Sequence, residues 1–335
     1  MKNKSVCAIL AVSLAIAVAP EARSYPINGW PEFPRFDRGG DEEWRDRSFS
    51  QWCSQKSQVS PEARHTVEVL LSVAETQNCR EAEQKLLEIT DLNLSAKEIV
   101  DLRPLASMTQ LTRLDLGINS IVDVEPLAEL TNLERLLLGN NKIVEIEPLA
   151  NLSGSLIQLN LYNNQIEEID AIAELENLQS LFVNNNRIED ISAIAELTQL
   201  ETLFIDSNQI EDIDALGELP NLSGFDASNN QIDDLSAIAD STHIEWLALG
   251  NNQIADLSPI SDLTNLDELD VSNNRIRDVR PLANMTVMRE LYLQDNQVED
   301  ISPLVNLTNL RGLFLANNPI EDPTCPDSLN NVCRF

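Results

Sequence analysis

An asparagine recurs every 22 residues through most of this 335-residue chain. We refer to these ten positions as the asparagine ladder, and they are Asn119, Asn141, Asn164, Asn186, Asn208, Asn230, Asn252, Asn274, Asn296 and Asn318. One step, from Asn141 to Asn164, contains a single extra residue, and Lys97 holds the corresponding place in an earlier, degenerate copy. Each ladder asparagine ends the same apolar frame, LxxLxLxxN. A fixed period of this length predicts stacked structural units, here eleven over residues 89–322.

The frame explains how one unit folds. Alternate residues of a strand point to opposite sides, so Leu136 and Leu138 face the same way. One short strand cannot bury its apolar face, but parallel stacking merges the leucines into one core. The asparagine amide satisfies backbone groups at the turn that follows, and Ser258 and Ser302 are typical N-caps of short return helices. The predicted fold class is an α/β repeat solenoid, curved, with a parallel concave β-sheet and short helical or 3-10 convex turns.

Both ends of such a solenoid need caps of a different structure. Residues 51–88 are predicted to form a helical N-terminal cap, with one helix that begins at Ser60. A second helix is expected at Asn78, with Glu81 completing a capping box. The apolar residues of this second helix that should face inward are Ala82, Leu86 and Leu87. Prolines interrupt the pattern after the last repeat, so residues 323–335 are predicted to form the C-terminal cap.

Four cysteines flank the repeats, namely Cys53, Cys79, Cys325 and Cys333, while Cys7 lies in the leader described below. Eleven strands spaced by about 4.8 Å would separate the two caps by roughly 50 Å. A disulfide needs Cα atoms within about 7 Å. The expected pairs are therefore Cys53 with Cys79 and Cys325 with Cys333, and the alternative is two pairs of unreactive buried thiols.

Residues 1–24 are typical of a signal peptide. Two lysines precede an apolar run over residues 6–19, which is too short to span a bilayer. Ala22-Arg23-Ser24 then supplies small residues at the two positions that a signal peptidase reads. We therefore expect an exported protein, periplasmic or extracellular, without membrane insertion. Residues 25–50 are rich in proline, glycine, charge and aromatic side chains, and we interpret them as a linker.

The chain is strongly acidic. Removal of the leader leaves 20 basic and 54 acidic residues, a formal net charge of −34, which argues against nucleic acid or anionic membranes as partners. A carboxylate lies four residues after every ladder position: Asp101, Asp123, Glu145, Glu168, Asp190, Asp212, Asp234, Asp256, Asp278, Asp300 and Asp322. These side chains either form a stripe for divalent cations or a basic partner, or accept local backbone hydrogen bonds in the turn.

Large apolar side chains on the outward strand positions are informative, because the fold does not require them. These positions lie six, four and two residues before each ladder asparagine. The candidate partner-binding residues there are Leu137, Tyr162, Phe182, Phe204, Trp246, Tyr292 and Phe314. We expect one patch from Leu137 to Phe204 and a second at Tyr292 and Phe314, separated by acidic residues Asp206, Asp226, Glu268, Asp270 and Glu290. Aromatic anchors with a charged surround are typical of protein-binding hot spots. The alternative is that the rings only shield their neighbours.

The sequence argues against catalysis. Its two histidines, His65 and His243, lie in distant segments without a serine or cysteine partner at a useful spacing. It contains no phosphate-binding loop, metal cluster or nucleophile elbow. We therefore predict a non-catalytic, monomeric protein without a cofactor, which binds an unidentified protein ligand.

The repeat unit resembles a known family. The segment NNQIADLSPISDLTNLDELDVS, residues 251–272, is similar to the bacterial, internalin-type leucine-rich repeat. It is also similar to the repeat of the eukaryotic regulatory subunit of protein phosphatase 1. The flanks, QWC before a helix and VCRF at the end, resemble those of secreted bacterial leucine-rich repeat proteins, in particular cyanobacterial ones. Internalins imply recognition of a protein ligand on the concave face, at Tyr162, Phe182, Phe204, Tyr292 and Phe314 of this chain.

The resemblance has limits. The chain departs from internalins in having neither an Ig-like domain after the repeats nor a wall-sorting signal, so host-cell invasion is not implied. A phosphatase-type regulator of an enzyme is the runner-up function, but it conflicts with the leader and the expected disulfides. A structural role in the cell envelope is the third possibility.

Overall fold

A computed structural model describes residues 44–321, 323–329 and 332–335. The predicted signal peptide and most of the predicted linker lie outside the described residues, and so does Asp322. The described segments contain a helical cap, one long sheet and a disulfide-bridged end.

All strands in the described residues join one parallel sheet in chain order. Neighbouring strands pair residues 22 apart, as in Asp91 with Arg113, except that the step is 23 residues where Arg135 pairs with Gln158 and 20 residues where Leu313 pairs with Cys333. The predicted solenoid of stacked coils is therefore confirmed. The strands are β1 Asp91–Asn93, β2 Arg113–Asp115, β3 Arg135–Leu137, β4 Gln158–Asn160, β5 Ser180–Phe182, β6 Thr202–Phe204, β7 Gly224–Asp226, β8 Trp246–Ala248, β9 Glu268–Asp270, β10 Glu290–Tyr292, β11 Gly312–Phe314 and β12 Cys333–Arg334.

The return half of each coil is a short 3-10 helix. These segments are Arg103–Leu105, Glu125–Glu129, Glu147–Leu152, Asp170–Glu174, Ser192–Glu196, Asp214–Glu218, Ser236–Ile238, Ser258–Ile260, Arg280–Asn284, Ser302–Asn306 and Asp327–Leu329. One core runs between these segments and the sheet. The frame leucines Leu136 and Leu138 are fully buried, as are Ile143 and Leu152 from the return half. Each coil thus buries its apolar residues against the next one, which a single coil cannot do.

The asparagine ladder bonds to the backbone as the frame predicts. The side chain of Asn208 accepts a hydrogen bond from the N–H of Ile188 at 3.0 Å and donates to the carbonyls of Val183 at 3.1 Å and Ile205 at 3.0 Å. The same pattern recurs along the array, for example at Asn141 and Asn274. One amide therefore satisfies backbone groups of two coils.

The residue before each ladder asparagine adopts the left-handed backbone conformation, with a positive φ angle. Its φ is 57° at Asn140, 57° at Asn251 and 58° at Ser207. Asparagine tolerates this conformation better than most residues, which explains the recurring Asn-Asn pair in the sequence. Ile118, with φ of 55°, is a β-branched exception.

The carboxylates after the ladder cap the 3-10 segments. Asp256 Oδ1 accepts the N–H of Ser258 at 2.8 Å and its hydroxyl at 2.6 Å, and Asp190 accepts the N–H of Ser192 at 2.7 Å. Matching bonds are made by Asp101, Asp123, Asp212, Asp234, Asp278 and Asp300. The structure therefore shows the second of the two alternatives for these carboxylates, in which they accept local backbone hydrogen bonds in the turn. Ser258 and Ser302 are the first residues of their segments and donate to the aspartates, so their predicted role as N-caps was wrong.

Three α-helices form the N-terminal cap: α1 Phe49–Ser54, α2 Pro61–Val73 and α3 Cys79–Leu86. Helix α1 was not predicted. It begins inside the segment interpreted as a linker, and Phe49 is buried in the core. The side chain of Ser60 caps α2 by accepting the N–H of Ala63 at 3.1 Å.

Two details of α3 differ from the prediction. Asn78 caps the helix by accepting the N–H groups of Arg80 and Glu81, but the carboxylate of Glu81 bonds to the Thr76 hydroxyl at 3.1 Å. Glu81 therefore does not complete a capping box through Asn78. Leu87 follows the last residue of α3 and is 50% exposed, so its predicted inward orientation was wrong.

Both expected disulfides are present. Cys53 pairs with Cys79, and Cys325 pairs with Cys333, each with Cα atoms 5.6 Å apart. The second bridge holds β12 against β11, where Leu315 N donates to Arg334 O at 2.7 Å. The C-terminal cap therefore adds a twelfth strand to the eleven that the repeats predict.

Candidate functional site

The outward face of the sheet presents the first and third residue of each strand, because the middle residue is buried in the core. Six of the seven candidate residues lie on these strand positions, and Tyr162 lies two residues after β4. The structure divides them into groups that differ from the predicted patches.

Phe182, Phe204 and Trp246 form one cluster of rings. Phe182 and Phe204 occupy paired positions on β5 and β6, and their rings stack at 5.0 Å with an interplanar angle of 8°. Trp246 on β8 lies 5.6 Å from the Phe204 ring, tilted by 36°. It reaches across β7 because Gly224 has no side chain, and a Cβ atom there would lie 2.3 Å from Trp246 Nε1. The sequence placed Trp246 apart from this patch, whereas the structure includes it.

Tyr292 and Phe314 form a second pair. They are paired residues of β10 and β11, and their rings stack at 4.6 Å, nearly parallel. Gly312 provides space beside Phe314, since a Cβ atom at Gly312 would lie 2.7 Å from Phe314 Cε2. The sequence predicted this pair as the second patch, and the structure brings the two rings together.

Leu137 and Tyr162 are placed differently. Asn160 occupies the paired position between Leu137 and Phe182. The ring of Tyr162 lies over Gly139 of the preceding coil, where the side chain of Asn140 donates a hydrogen bond to its hydroxyl. The expected single patch from Leu137 to Phe204 is therefore divided, with Tyr162 directed towards β3 and Phe182 towards β6.

Between the two ring groups lies a recessed, acidic strip, which we call the acidic trough. It consists of Asp226 on β7, Ala248 on β8, Gly250 just after β8 and Asp270 on β9. Asp226, Ala248 and Asp270 are paired across the three strands. Although they face outward, Asp226 is only 8% exposed and Ala248 only 6%.

Burial raises the pKa values of carboxylates in this region. Burial raises the pKa of Asp206 to about 7, and the nearby charge of Asp226 adds to the effect. Burial also raises the pKa of Asp226, against a hydrogen bond from Ser228 N at 2.9 Å. The pKa of Glu268 rises to about 7 through burial and then through its neighbours Glu290 and Asp270. Placing like charges close together with little water raises the free energy of the ionised carboxylates. Protonation of these groups, or a cation beside them, is therefore favoured.

Basic residues lie at both ends of the outward face, since Arg334 on β12 is paired with Phe314. Arg113 and Arg135 are paired on β2 and β3, and Arg113 lies 3.7 Å from Asp91. The outward face therefore carries both acidic and basic side chains on β1 to β3, with Asp91 and Asp115 beside the arginines, and only acidic charged side chains on strands β6 to β10. Sequence reading identified the acidic residues but not this distribution.

Other kinds of site find little support in the described part of the chain. No group of three or more His, Cys, Asp or Glu side chains there is arranged to hold a metal ion. None of the helices in the described segments is long and apolar enough to cross a membrane. His65 Nε2 lies 2.7 Å from the carbonyl of Lys97, where it joins the cap to the first repeat.

Family comparison agrees with the fold. The family described as Leucine Rich repeats (2 copies) matches residues 109–151, 131–174, 154–196, 198–240, 242–284 and 286–331. These matches cover more than half of the chain, so the protein belongs to the leucine-rich repeat family. A comparison with curated proteins finds no match.

Several solved structures are similar. An internalin (inlF) from Listeria monocytogenes is 30% identical, with a TM-score of 0.65 over 84% of this chain and 97% of that chain. The functional domain of InlJ from the same organism is 20% identical, with a TM-score of 0.57 over 85% and 80% of the two chains. A TDR receptor is 19% identical, with a TM-score of 0.66 over 74% and 46%. The chain is thus similar in fold to internalins and to a receptor.

Proposed function

We propose that this protein is an exported, non-catalytic scaffold of the internalin type that binds a protein ligand on the concave face of its sheet. The contact residues are Leu137, Tyr162, Phe182, Phe204, Trp246, Tyr292 and Phe314. The observation that carries the proposal is the clustering of Phe182, Phe204 and Trp246 on the outward side of the sheet, where mutual packing leaves Phe204 7% and Trp246 5% exposed. The solenoid buries its leucines without these rings, so their stacking on the open face is a feature that the fold does not need.

Similar folds support this type of binding. The plant peptide hormone receptor RGFR1, 20% identical to this chain with a TM-score of 0.57, has been solved in complex with RGF2. Rigid aromatic side chains supply large contact area at a low entropic cost, and they are enriched among residues that dominate protein interfaces. We propose the same use of the two ring groups here.

Export is supported by the two disulfides, since such bonds persist mainly in oxidising compartments. The proposed location is the periplasm or the cell exterior. Fractionation with N-terminal sequencing tests it, and the expected mature chain begins at Tyr25. Intact mass should increase by four hydrogens on reduction. A cytoplasmic protein with an uncleaved leader and four free thiols would contradict export and favour an intracellular regulator.

The binding face is tested with Phe182→Ala combined with Phe204→Ala. Biotinylated wild-type protein and the variant are incubated with the exported fraction of the source cells, and captured proteins are identified by mass spectrometry after crosslinking. We expect a protein that wild type captures to be lost with the double variant, while the far-UV circular dichroism stays unchanged.

A matched control truncates apolar residues elsewhere. Val144 and Ile157 are 43% and 36% exposed and lie outside the ring groups. Val144→Ala with Ile157→Ala should retain the captured protein. Equal capture by all three proteins would contradict the proposed face.

A further inference from the structure

The one irregular coil of the array is uncharged. Residues 149–166, which include the single inserted residue, contain no charged side chain. This run is the longest uncharged stretch in the described part of the chain, although 23% of all residues are charged. Between the return segment Glu147–Leu152 and β4, the chain passes through Ser153, Gly154 and Ser155. This flank therefore differs in chemistry from the acidic surface around it.

A recess lies on this flank, near the first residues of β4, β5 and β6. Its volume is about 290 Å³, and its lining residues are Gly154, Ser155, Ile157, Asn177, Gln179 and Gln199. Gly154 leaves the recess open, because nothing lies within 4 Å of the position that its Cβ atom would take. Ligand pockets in proteins are typically about 300–1,000 Å³. The recess therefore suits a small molecule or one unit of a chain.

Three amide side chains supply most of its polar groups. Asn177 donates to the carbonyls of Ser153 at 3.2 Å and Gly154 at 3.4 Å, which orients the side chain and leaves its oxygen as an acceptor. The side-chain amides of Gln179 and Gln199 make no hydrogen bond to another residue in the described part of the chain. Each of these two amides therefore offers two N–H donors and an acceptor oxygen to a ligand.

The lining argues against most classes of ligand. A metal cation needs carboxylates and an anion needs basic side chains, and the residues that line the recess include neither. An apolar ligand needs mainly hydrophobic walls, whereas Ile157 is the one large apolar residue of the lining and is 36% exposed. A neutral ligand with many hydroxyl groups matches the amides, and the C–H groups on one face of a sugar ring match Ile157.

Acidic residues border the recess without lining it. Glu134 and Glu201 occupy the equivalent repeat position on the coils to either side of Ile157 and Gln179, and both are exposed. A carboxylate accepts hydrogen bonds from hydroxyl groups and repels an anionic ligand. The border therefore favours a neutral carbohydrate over an acidic one.

We propose that the recess beside Gly154 binds an uncharged carbohydrate. One sugar unit forms hydrogen bonds to Asn177, Gln179 and Gln199 and lays its C–H face on Ile157. The site is separate from the two ring groups, because no ring residue is among those that line the recess. It therefore adds a second kind of ligand to the proposed protein-binding scaffold. A free oligosaccharide and a polysaccharide chain present the same chemistry to it.

The experiment offers neutral and anionic carbohydrates to the full exported chain. Isothermal titration calorimetry measures binding of linear hexasaccharides of glucose, mannose, galactose and N-acetylglucosamine, with a hexamer of galacturonic acid as the anionic comparison. We expect at least one neutral hexasaccharide to bind at least tenfold more tightly than the anionic one. Affinity electrophoresis in the corresponding polysaccharide separates the two sources. Retardation identifies an internal sugar unit as the ligand, and binding of the hexasaccharide alone identifies a chain end, and either result supports the site.

Three variants locate the binding. Gln179→Ala with Gln199→Ala should weaken binding of the best neutral hexasaccharide at least tenfold, because two hydrogen-bonding groups are lost. Gly154→Phe should have the same effect, since its ring would fill the open space above this glycine. Gln165→Ala with Gln209→Ala is the matched control. It removes two amides that directly follow ladder asparagines and should weaken binding less than twofold.

The outcomes separate this site from the aromatic interface. Equal losses in the three variants, equal binding of neutral and anionic hexasaccharides, or no binding of any neutral one would overturn the inference. Phe182→Ala with Phe204→Ala should bind the hexasaccharide as the wild type does, whether or not it loses its captured protein. A loss of sugar binding in that variant would place the carbohydrate on the concave face and overturn the site proposed here.

Discussion

The indole of Trp246 lies across Gly224 on the neighbouring strand, so close that a Cβ atom on the glycine would lie 2.3 Å from the indole nitrogen. The absence of a side chain at Gly224 allows the ring to reach Phe204, two strands away. A glycine that looks like a weak strand residue therefore positions the largest side chain of the candidate site.

Gly224→Ala should displace this ring. The methyl group would overlap the indole, and Trp246, now 5% exposed, would move outward into water. We expect a red shift of tryptophan emission and weaker capture of the ligand. Gly154→Ala is the control, because nothing lies within 4 Å of its Cβ position, and emission there should not change. An unshifted spectrum for Gly224→Ala would contradict the structure at this position.

Loss of one ladder asparagine should be costly. Asn208→Leu leaves the Ile188 N–H without its acceptor, while the Val183 and Ile205 carbonyls each lose one donor and keep the other, from Asn186 and Asn230. One buried unsatisfied group costs about 1–3 kcal/mol. At about 2–4 °C per kcal/mol, the melting temperature should fall by roughly 2–12 °C. Gln209→Leu, at an exposed neighbouring position, should change it little. Equal melting of the two variants would show that the ladder bonds contribute nothing.

Ile118 offers a stabilising substitution. Its side chain is 61% exposed and its φ is 55°, a conformation that β-branched residues avoid. Seven of the ten ladder repeats have asparagine at this position. Ile118→Asn should relieve about 1 kcal/mol of strain and raise the melting temperature by about 2–4 °C. Val122→Asn, another exposed apolar position, should give no gain, and a lower melting temperature for Ile118→Asn would refute the strain.

Stability should rise as the pH falls from 8 to 5. Asp206 and Glu268 have pKa values raised to about 7 in the folded chain, against about 4 in unfolded peptides. The folded state therefore binds protons in this window that the unfolded state does not bind, and its stability gain is complete below the unfolded pKa. Scanning calorimetry at pH 8, 6.5 and 5 should show a rise of a few degrees.

Variants identify the groups responsible. Asp206→Asn with Glu268→Gln should remove most of this rise, whereas Glu211→Gln with Asp233→Asn should keep it. Below about pH 4 the trend should reverse, because hydrogen bonds from Ser258 and Ser236 lower the pKa of Asp256 and Asp234 in the folded chain. A flat profile from pH 8 to 5 would contradict the burial of the acidic residues.

Much of the fold follows from local chemistry that repeats. The bonds of Asn208, the burial of Leu136 and both cysteine pairings were predicted because each depends on the period or on the distance between the caps. Leu87 was placed incorrectly because α3 ends at Leu86, and the direction of a side chain just after a helix depends on the next element. The recurring Asn-Asn pair in the sequence could have indicated the left-handed residue before each ladder asparagine, but this conformation was not predicted.

By itself, the sequence determined the parallel sheet, the core and the set of residues that face outward, because a strict period of 22 residues repeats the same burial in every coil. Only the tertiary structure decided which outward residues meet. Trp246 joins Phe204, and Tyr162 turns to Gly139. The reason is physical: side-chain direction on an open face depends on the size of neighbours one and two strands away, which are 22 and 44 residues distant in the chain.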